Sequence, residues 1–257
     1  MTEATSSLHL CPNMLTPEAK HVIESYLHLP LGIGCVTPYF NNRRAKIRGG
    51  LRALIGKGSP KEITEEAEII ALREKVSVKS LDSTMLKKFL VDKGLGIDCS
   101  GFAYHILDAE SRAKNKKPLR AYLTFKLNPL RRLIARLRTA EQVSVTILAD
   151  NANSATVSLR DAQSGDIIIL LSSEYNHVLV IESIEQKNSE TLLHYVHSYA
   201  WPDEGVYGHG VRRGTLNLRD ENLLGGTWIE NGRSVDFQKI RTIQTAQIRR
   251  LRAFQKR

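Results

Sequence analysis

The chain has 257 residues, 42% of them hydrophobic, and a formal net charge of +10. That is enough apolar material for a sizeable core, and no run approaches the length of a membrane span. The three cysteines (Cys11, Cys35, Cys99) are too few and too scattered for a disulfide framework. The first ten residues lack the basic and apolar regions of a secretory signal. A cytoplasmic location is the expectation, with export by a route that needs no such signal left open.

In chain order, Thr16-Pro17-Glu18 predicts a helix start, a capping hydroxyl followed by proline, and the helix runs to about Leu27. Leu29 to Asn42 reads as a loop with Pro30, Gly32, Gly34, Pro38 and Asn41-Asn42. Arg48-Gly49-Gly50 and Gly56-Lys57-Gly58 invite a phosphate-loop reading. The spacing is one residue too long and Gly58 stands where a hydroxyl is needed, so that reading is rejected. Ser59-Pro60-Lys61-Glu62 is a capping box opening a helix to about Lys75, and a shorter helix spans about Ser83 to Val91.

Gly96-Ile97-Asp98-Cys99-Ser100-Gly101-Phe102 follows. Asp98 suits an N-cap, and Phe102 to Leu107 continues as an apolar-rich helix. Cys99 then falls in the first turn, where free N–H groups and the helix dipole lower a thiol pKa. Gly96 and Gly101 admit a tight turn or another backbone. The other reading of Cys99 is a small buried apolar residue.

Between Ser111 and Ala140 there are ten basic residues and no acid. Within it, Leu130, Leu133, Ile134 and Leu137 recur at helical spacing between arginines, predicting a basic amphipathic helix. Packing against the domain is the favoured placement for its apolar stripe; an anionic membrane or a partner is the alternative. From Val143 the pattern turns to strands: Val143–Ile147, Ala155–Leu159, the fully apolar Ile167–Leu171 after Gly165-Asp166, Asn176–Ile181, Leu192–Tyr199 and Val211–Leu218. Helices first and short strands after predict an α+β architecture with a mostly antiparallel sheet.

A thiolate at a helix start needs a base, and the base an orienting group. His177 opens one strand and His197 lies on the next, so antiparallel pairing brings them together. Alternation puts His194 on the opposite face from His197. His105 points away from the thiol and is read as structural, and His209 as a weak candidate for substrate contact. Nothing in these motifs calls for a metal or a cofactor.

Asp98-Cys99-Ser100-Gly101-Phe102, Gly165-Asp166-Ile167-Ile168, His177 to Ile181 and Val196-His197-Ser198-Tyr199-Ala200 resemble, in order, the motifs of the NlpC family of papain-like cysteine peptidases. The resemblance implies a papain-like fold with the nucleophile helix packed on the sheet, Cys99 as nucleophile, His177 as base and His197 as its orienting residue. It implies substrate contacts at Asp98 and Ser100, and at Tyr39 through Pro38-Tyr39. It also implies a γ-D-glutamyl–diamino acid amide of a peptidoglycan stem peptide as substrate, with Asp98 pairing the free amine of a short peptide. Asn41-Asn42 stands where the family usually has glycines. Against the compact family core, residues of about 43–90 and 111–155 read as insertions.

The expected organisation is an N-terminal extension (1–15), a catalytic domain (16–232) and a basic C-terminal tail (233–257). The expected activity is a cysteine-type hydrolase, peptidase or amidase. A transpeptidase or acyltransferase of the same class is one alternative. The other is a non-catalytic basic module that holds nucleic acid, another anionic polymer or a membrane surface through 112–138 and 249–257.

Overall fold

The computed structural model describes residues 14–42, 51–126, 128–187 and 190–255. Cys11 and the last two basic residues, Lys256 and Arg257, lie outside them. The N-terminal half is helical. α1 (Pro17–Leu27) starts at Thr16, whose side chain accepts from Ala19 N, and buries Ala19, Ile23 and Tyr26. α2 (Pro60–Glu74) carries the complete capping box of Ser59 and Glu62. α3 (Ser83–Asp92) is capped by Asp82 and leads to α4 (Cys99–Asn115), the most buried helix. Next come α5 (Pro129–Leu137), α6 (Thr139–Gln142) and α7 (Val145–Ala149).

The remainder builds a sheet from β1 (Ser154–Thr156), β2 (Ile167–Leu171), β3 (Asn176–Lys187), β4 (Glu190–Tyr199), β5 (Gly210–Leu218), β6 (Thr227–Glu230), β7 (Arg233–Val235) and β8 (Thr245–Leu251), with α8 (Gly205–Gly208) and α9 (Phe237–Arg241) between strands. Among the described residues its order is β1-β8-β2-β3-β4-β5-β6-β7, and every pairing is antiparallel. The expected α+β class with an antiparallel sheet is therefore observed.

The sheet separates two apolar cores. Ile167, Ile169, Val178, Val180 and Val196 face the helices. Ile168, Leu170, Leu179, Tyr195, Tyr199, Trp228 and Phe237 build an aromatic-rich core on the other side. Both faces of β2 are thus covered, which is why its sequence is apolar without alternation.

Four expectations are corrected. Val143–Ile147 is no strand: the Ser144 hydroxyl accepts from Ile147 N and starts α7, burying Val145 and Leu148 at helical spacing. The strand expected over Ala155–Leu159 is confined to Ser154–Thr156. Of the basic tail expected over 233–257, the described residues to 255 belong to the domain, because β8 lies inside the sheet between β1 and β2. Its arginines are consumed there: Arg250 pairs with buried Asp166 at 2.8 Å, and Arg249 donates to Ser154, Thr156 and Asn151. Finally, the apolar stripe of α5 does not pack on the domain; Ala135 is its buried residue, while Leu130, Leu133, Ile134 and Leu137 are exposed. No helix among the described residues is long and apolar enough to cross a membrane.

Candidate functional site

The turn before α4 is built by close backbone contact. Asp98 caps the helix by accepting from Gly101 N at 2.6 Å, which puts Cys99 at the first helical position. Beneath it lies Gly56-Lys57-Gly58. A Cβ at Gly101 would come within 2.8 Å of Gly56 O, so only glycine permits this approach. All three loop carbonyls are engaged: Gly56 O by Asp98 N (2.9 Å), Lys57 O by His105 Nε2 (3.0 Å) and Gly58 O by the Tyr26 hydroxyl (2.8 Å). His105 is therefore structural, as expected, and what it holds is this loop.

Lys57 is buried, and its ammonium donates to Asp98 Oδ1 (2.8 Å), Ser100 Oγ (2.6 Å) and Val143 O (2.9 Å). Three donors meet three acceptors, so the cation is saturated within the fold. Two of the three residues expected to bind substrate thus meet an internal lysine, Asp98 through Oδ1 and Ser100 through Oγ. Tyr39 lies beside the same turn: it bridges to Ile97, is half-buried, and its hydroxyl accepts from Asn41 Nδ2 at 3.1 Å.

A split in the sheet brings the sulfur toward the histidines. The β3–β4 ladder ends at Val180↔Val196, yet β3 continues to Asn176 against β2, and β4 continues to Tyr199 against β5. The turn before α4 enters the gap. Ser198 Oγ donates to Ile97 O at 2.7 Å, and the N–H groups of Val178 and Ser100 are directed at the Cys99 sulfur. The Val178 N–H thus holds the sulfur one residue along β3 from His177, whose Nδ1 makes no hydrogen bond to it.

His177 and His197 are fully buried and joined, Nε2 to Nδ1, at 2.8 Å. His197 Nε2 reaches Glu230 Oε1 at 3.0 Å, off the line of a well-aligned hydrogen bond, and the Tyr195 hydroxyl donates to the same oxygen at 2.7 Å. Glu230 is itself buried. Tyr195, Gly214 and Glu230 occupy one rung across β4, β5 and β6, and the tyrosine crosses over Gly214, where a Cβ would meet its hydroxyl at 2.4 Å.

The tautomer assigned to the pair follows from placing the His197 Nε2–H toward Glu230, since a carboxylate only accepts. Glu230 takes the His197 Nε2–H, His197 Nδ1 then accepts from His177 Nε2–H, and the lone pair of His177 is left on Nδ1. That Nδ1 is buried with no hydrogen-bond partner among the described residues. Aromatic rings enclose the pair: Tyr175 stacks on His177 at 5.9 Å, Tyr199 packs against it at 4.9 Å and lies nearly parallel to His197 at 5.5 Å. Arg241 covers the outside, over Tyr175 at 4.9 Å and donating to Tyr199 Oη and Ala200 O.

Enclosure decides the protonation states. Burial, then the neighbouring His197, then Arg241 hold His177 well below the ordinary imidazole pKa, so it is neutral at pH 7. The expected lowering of the Cys99 pKa does not hold for this closed state. Burial first and the Asp98 charge second push the thiol up to about 12, against Lys57 and the two N–H groups. A helix N-terminus contributes about 0.3–1 kcal/mol, whereas burial moves a pKa by up to several units. The resting pair is a neutral thiol and a neutral imidazole.

The structure gathers Cys99, His177, His197, Asp98, Ser100 and Tyr39 in one region. His194 faces away and meets Glu185 at 3.1 Å, and His209 Nε2 lies 2.7 Å from Trp201 O. Sequence reading missed Lys57, Glu230, Tyr195, Tyr175 and Arg241. Two signals pointed to them: Lys57 is flanked by glycines, and Glu230 shares a strand face with Trp228 two residues before it.

No family model, curated protein or solved structure matches this chain. Assignment of a role rests on the residues themselves.

Proposed function

We propose that the protein is a cysteine-type hydrolase of papain-like architecture acting on an amide bond, with Cys99 as nucleophile, His177 as general base and His197 as its positioning residue. The observation that carries this reading is the unpartnered Nδ1 of buried His177, beside a cysteine at a helix start. With a thiol pushed up to about 12, a preformed thiolate is not the resting species. The Cys99 proton passes to His177 Nδ1 as the sulfur attacks the carbonyl carbon. The charge arising on the imidazole is shared through His197 toward Glu230. The backbone N–H of Cys99 itself serves the oxyanion, the next three along α4 being turned to the sulfur and to Asp98. The imidazolium then protonates the leaving amine, and water cleaves the thioester.

The resemblance to the NlpC family suggests a peptidoglycan stem peptide as substrate. Lys57 modifies that expectation. The carboxylate expected to pair a free substrate amine already carries an ammonium of this chain. The substrate is therefore held by something other than a free amine at Asp98. Transfer to an amine acceptor is a second outcome, favoured by a sulfur-bearing residue only 7% exposed, which limits access of water to the thioester.

The test is to incubate the protein and a Cys99→Ala variant with purified wall fragments and with free stem peptides whose amines are open or acetylated, reading products by mass. Cleavage by the wild type alone, undiminished by acetylation, is expected. An alanine variant that cleaves as well as the wild type rules the reading out.

A further inference from the structure

The exposed stripe of α5 and the cationic cavity at its end have no part in the thiol chemistry. Leu130, Leu133, Ile134 and Leu137 are 46–70% exposed and, at about 100° per residue, occupy one outward arc. Water-facing branched apolar side chains at these four positions would be costly without a purpose, since the same helix has a buried side, at Ala135, that could have taken them. Arg131 borders the arc on one flank and Arg136 on the other, both with exposed side chains long enough to reach past the leucines, while Arg138 just beyond the helix pairs with Glu141.

Beside Leu137 opens a cavity of about 470 Å³ lined also by Arg52, Arg112 and Arg120. Burial first and the Asp108 charge second push the Tyr104 hydroxyl in its wall up to about 12, against Arg112, Arg120 and Arg52. Three carboxylates line it too and each is paired, Glu62 with Arg52, Glu65 with Lys61 at 3.7 Å and Asp108 with Arg112 at 2.7 Å, so the excess positive charge there is that of Arg120. Arg120 is exposed and has no carboxylate partner among the described residues. An apolar stripe bordered by arginines, ending at a cationic hollow, within a stretch from Ser111 to Ala140 that holds no acid, matches one kind of surface: apolar below, anionic at the level of the arginines.

We propose that α5 docks the protein onto an anionic lipid bilayer, its four apolar side chains entering the acyl boundary and Arg120 with its neighbours holding a phosphate headgroup. A protein groove accepts the same i, i+3, i+4, i+7 pattern but must wrap a helix. This one is attached to the domain along its back, so a flat contact suits it better. Docking also lies close to the thiol site in the chain, because Val143, six residues beyond Leu137, is the residue whose carbonyl Lys57 and Ser100 contact.

The experiment is flotation of the full chain with vesicles of phosphatidylcholine alone and of phosphatidylcholine with 30% phosphatidylglycerol (about one anionic lipid in three), at low and high salt. Binding to the anionic vesicles only is expected. Leu133→Ser/Leu137→Ser lowers it at least about tenfold, since each side chain brings apolar area out of water. Arg120→Ala lowers it severalfold and flattens its salt dependence, and Arg131→Glu/Arg136→Glu removes the lipid preference. These residues are exposed, and thermal melts equal to wild type confirm that the variants fold. Three results overturn the proposal: no binding to anionic vesicles; binding that the serine pair leaves unchanged; or a self-association, or binding to a short DNA duplex, that the serine pair abolishes while vesicle binding persists.

Discussion

Replacing Lys57 with methionine keeps the aliphatic stem and deletes an ammonium that donates to Asp98, Ser100 and Val143 at 2.6–2.9 Å. Asp98 retains the Gly101 N–H at 2.6 Å and the Ser100 hydroxyl at 3.0 Å, but loses its counter-charge with its side chain only 13% exposed. Breaking a buried pair from one side costs about 3–5 kcal/mol, and the two surviving hydrogen bonds put the expected loss near the lower end, about 3 kcal/mol. At about 2–4 °C per kcal/mol for a chain of this size, the melting temperature falls by roughly 6–12 °C. Urea denaturation of K57M, D98N and the double variant supplies the cycle. The double variant should be more stable than the two single losses sum to, by about 1–3 kcal/mol. A second readout is the thiol: Lys57 is the cation that opposes burial and Asp98 at Cys99, so K57M should also slow its alkylation by iodoacetamide. If K57M lies within about 1 kcal/mol of wild type and the cycle shows no coupling, the ammonium is not a structural part of the nucleophile turn. Asp98 would then be open to a substrate amine.

Cys99→Ala should abolish labelling by a peptidyl electrophile, and His177→Ala should reduce it at least about a hundredfold, both measured by mass of the intact chain. Glu230→Gln, acting only through His197, should lower the acylation rate by roughly 10- to 100-fold and change its pH profile, whereas a purely structural role would leave the profile unmoved. His177 and His105 are both held below the ordinary imidazole pKa, burial being the first cause for each. Their unfolded forms bind protons below about pH 6.5 and their folded forms resist them, so stability is complete above that pH and is lost on acidification. Urea titrations at pH 7 and pH 5 should differ by up to about 2 kcal/mol for His177, and a His177→Phe variant that keeps the whole difference counts against its burial as a neutral ring. Alkylation of Cys99 should keep rising with pH beyond 9, since its thiol is pushed up to about 12; a plateau below pH 7 would mean an ion pair instead.

Helix starts were legible because capping is local: Thr16, Ser59 and Asp98 each satisfy a backbone N–H within three residues. Strand β2 was legible because burial on both faces leaves no room for polar alternation. Val143–Ile147 was not, because five residues of alternating character fit a strand as well as a short helix, and the Ser144 cap decided it. Strand β8 stayed hidden because its arginines read as a solvated face; Asp166 and Asn151, both distant in sequence, neutralise or accept from them. In the site, the cysteine and the two histidines carry their chemistry in residue type and order. Lys57 and Glu230 become visible only once Gly56 lies under Gly101 and Tyr195 crosses Gly214.

The position of β8 sets a rule for when this molecule can become reactive. β2 pairs with β3 on one side and with β8 on the other, and Ile167 finds its partner at Arg249 only after the intervening strands have been made. During synthesis the cysteine emerges early, but the strand order that shapes its surroundings is completed last. We expect ribosome-bound chains halted before Thr245 to leave Cys99 unlabelled by the peptidyl electrophile and chains in which β8 has emerged to take it up, so that the thiol is armed only once β8 has joined the sheet.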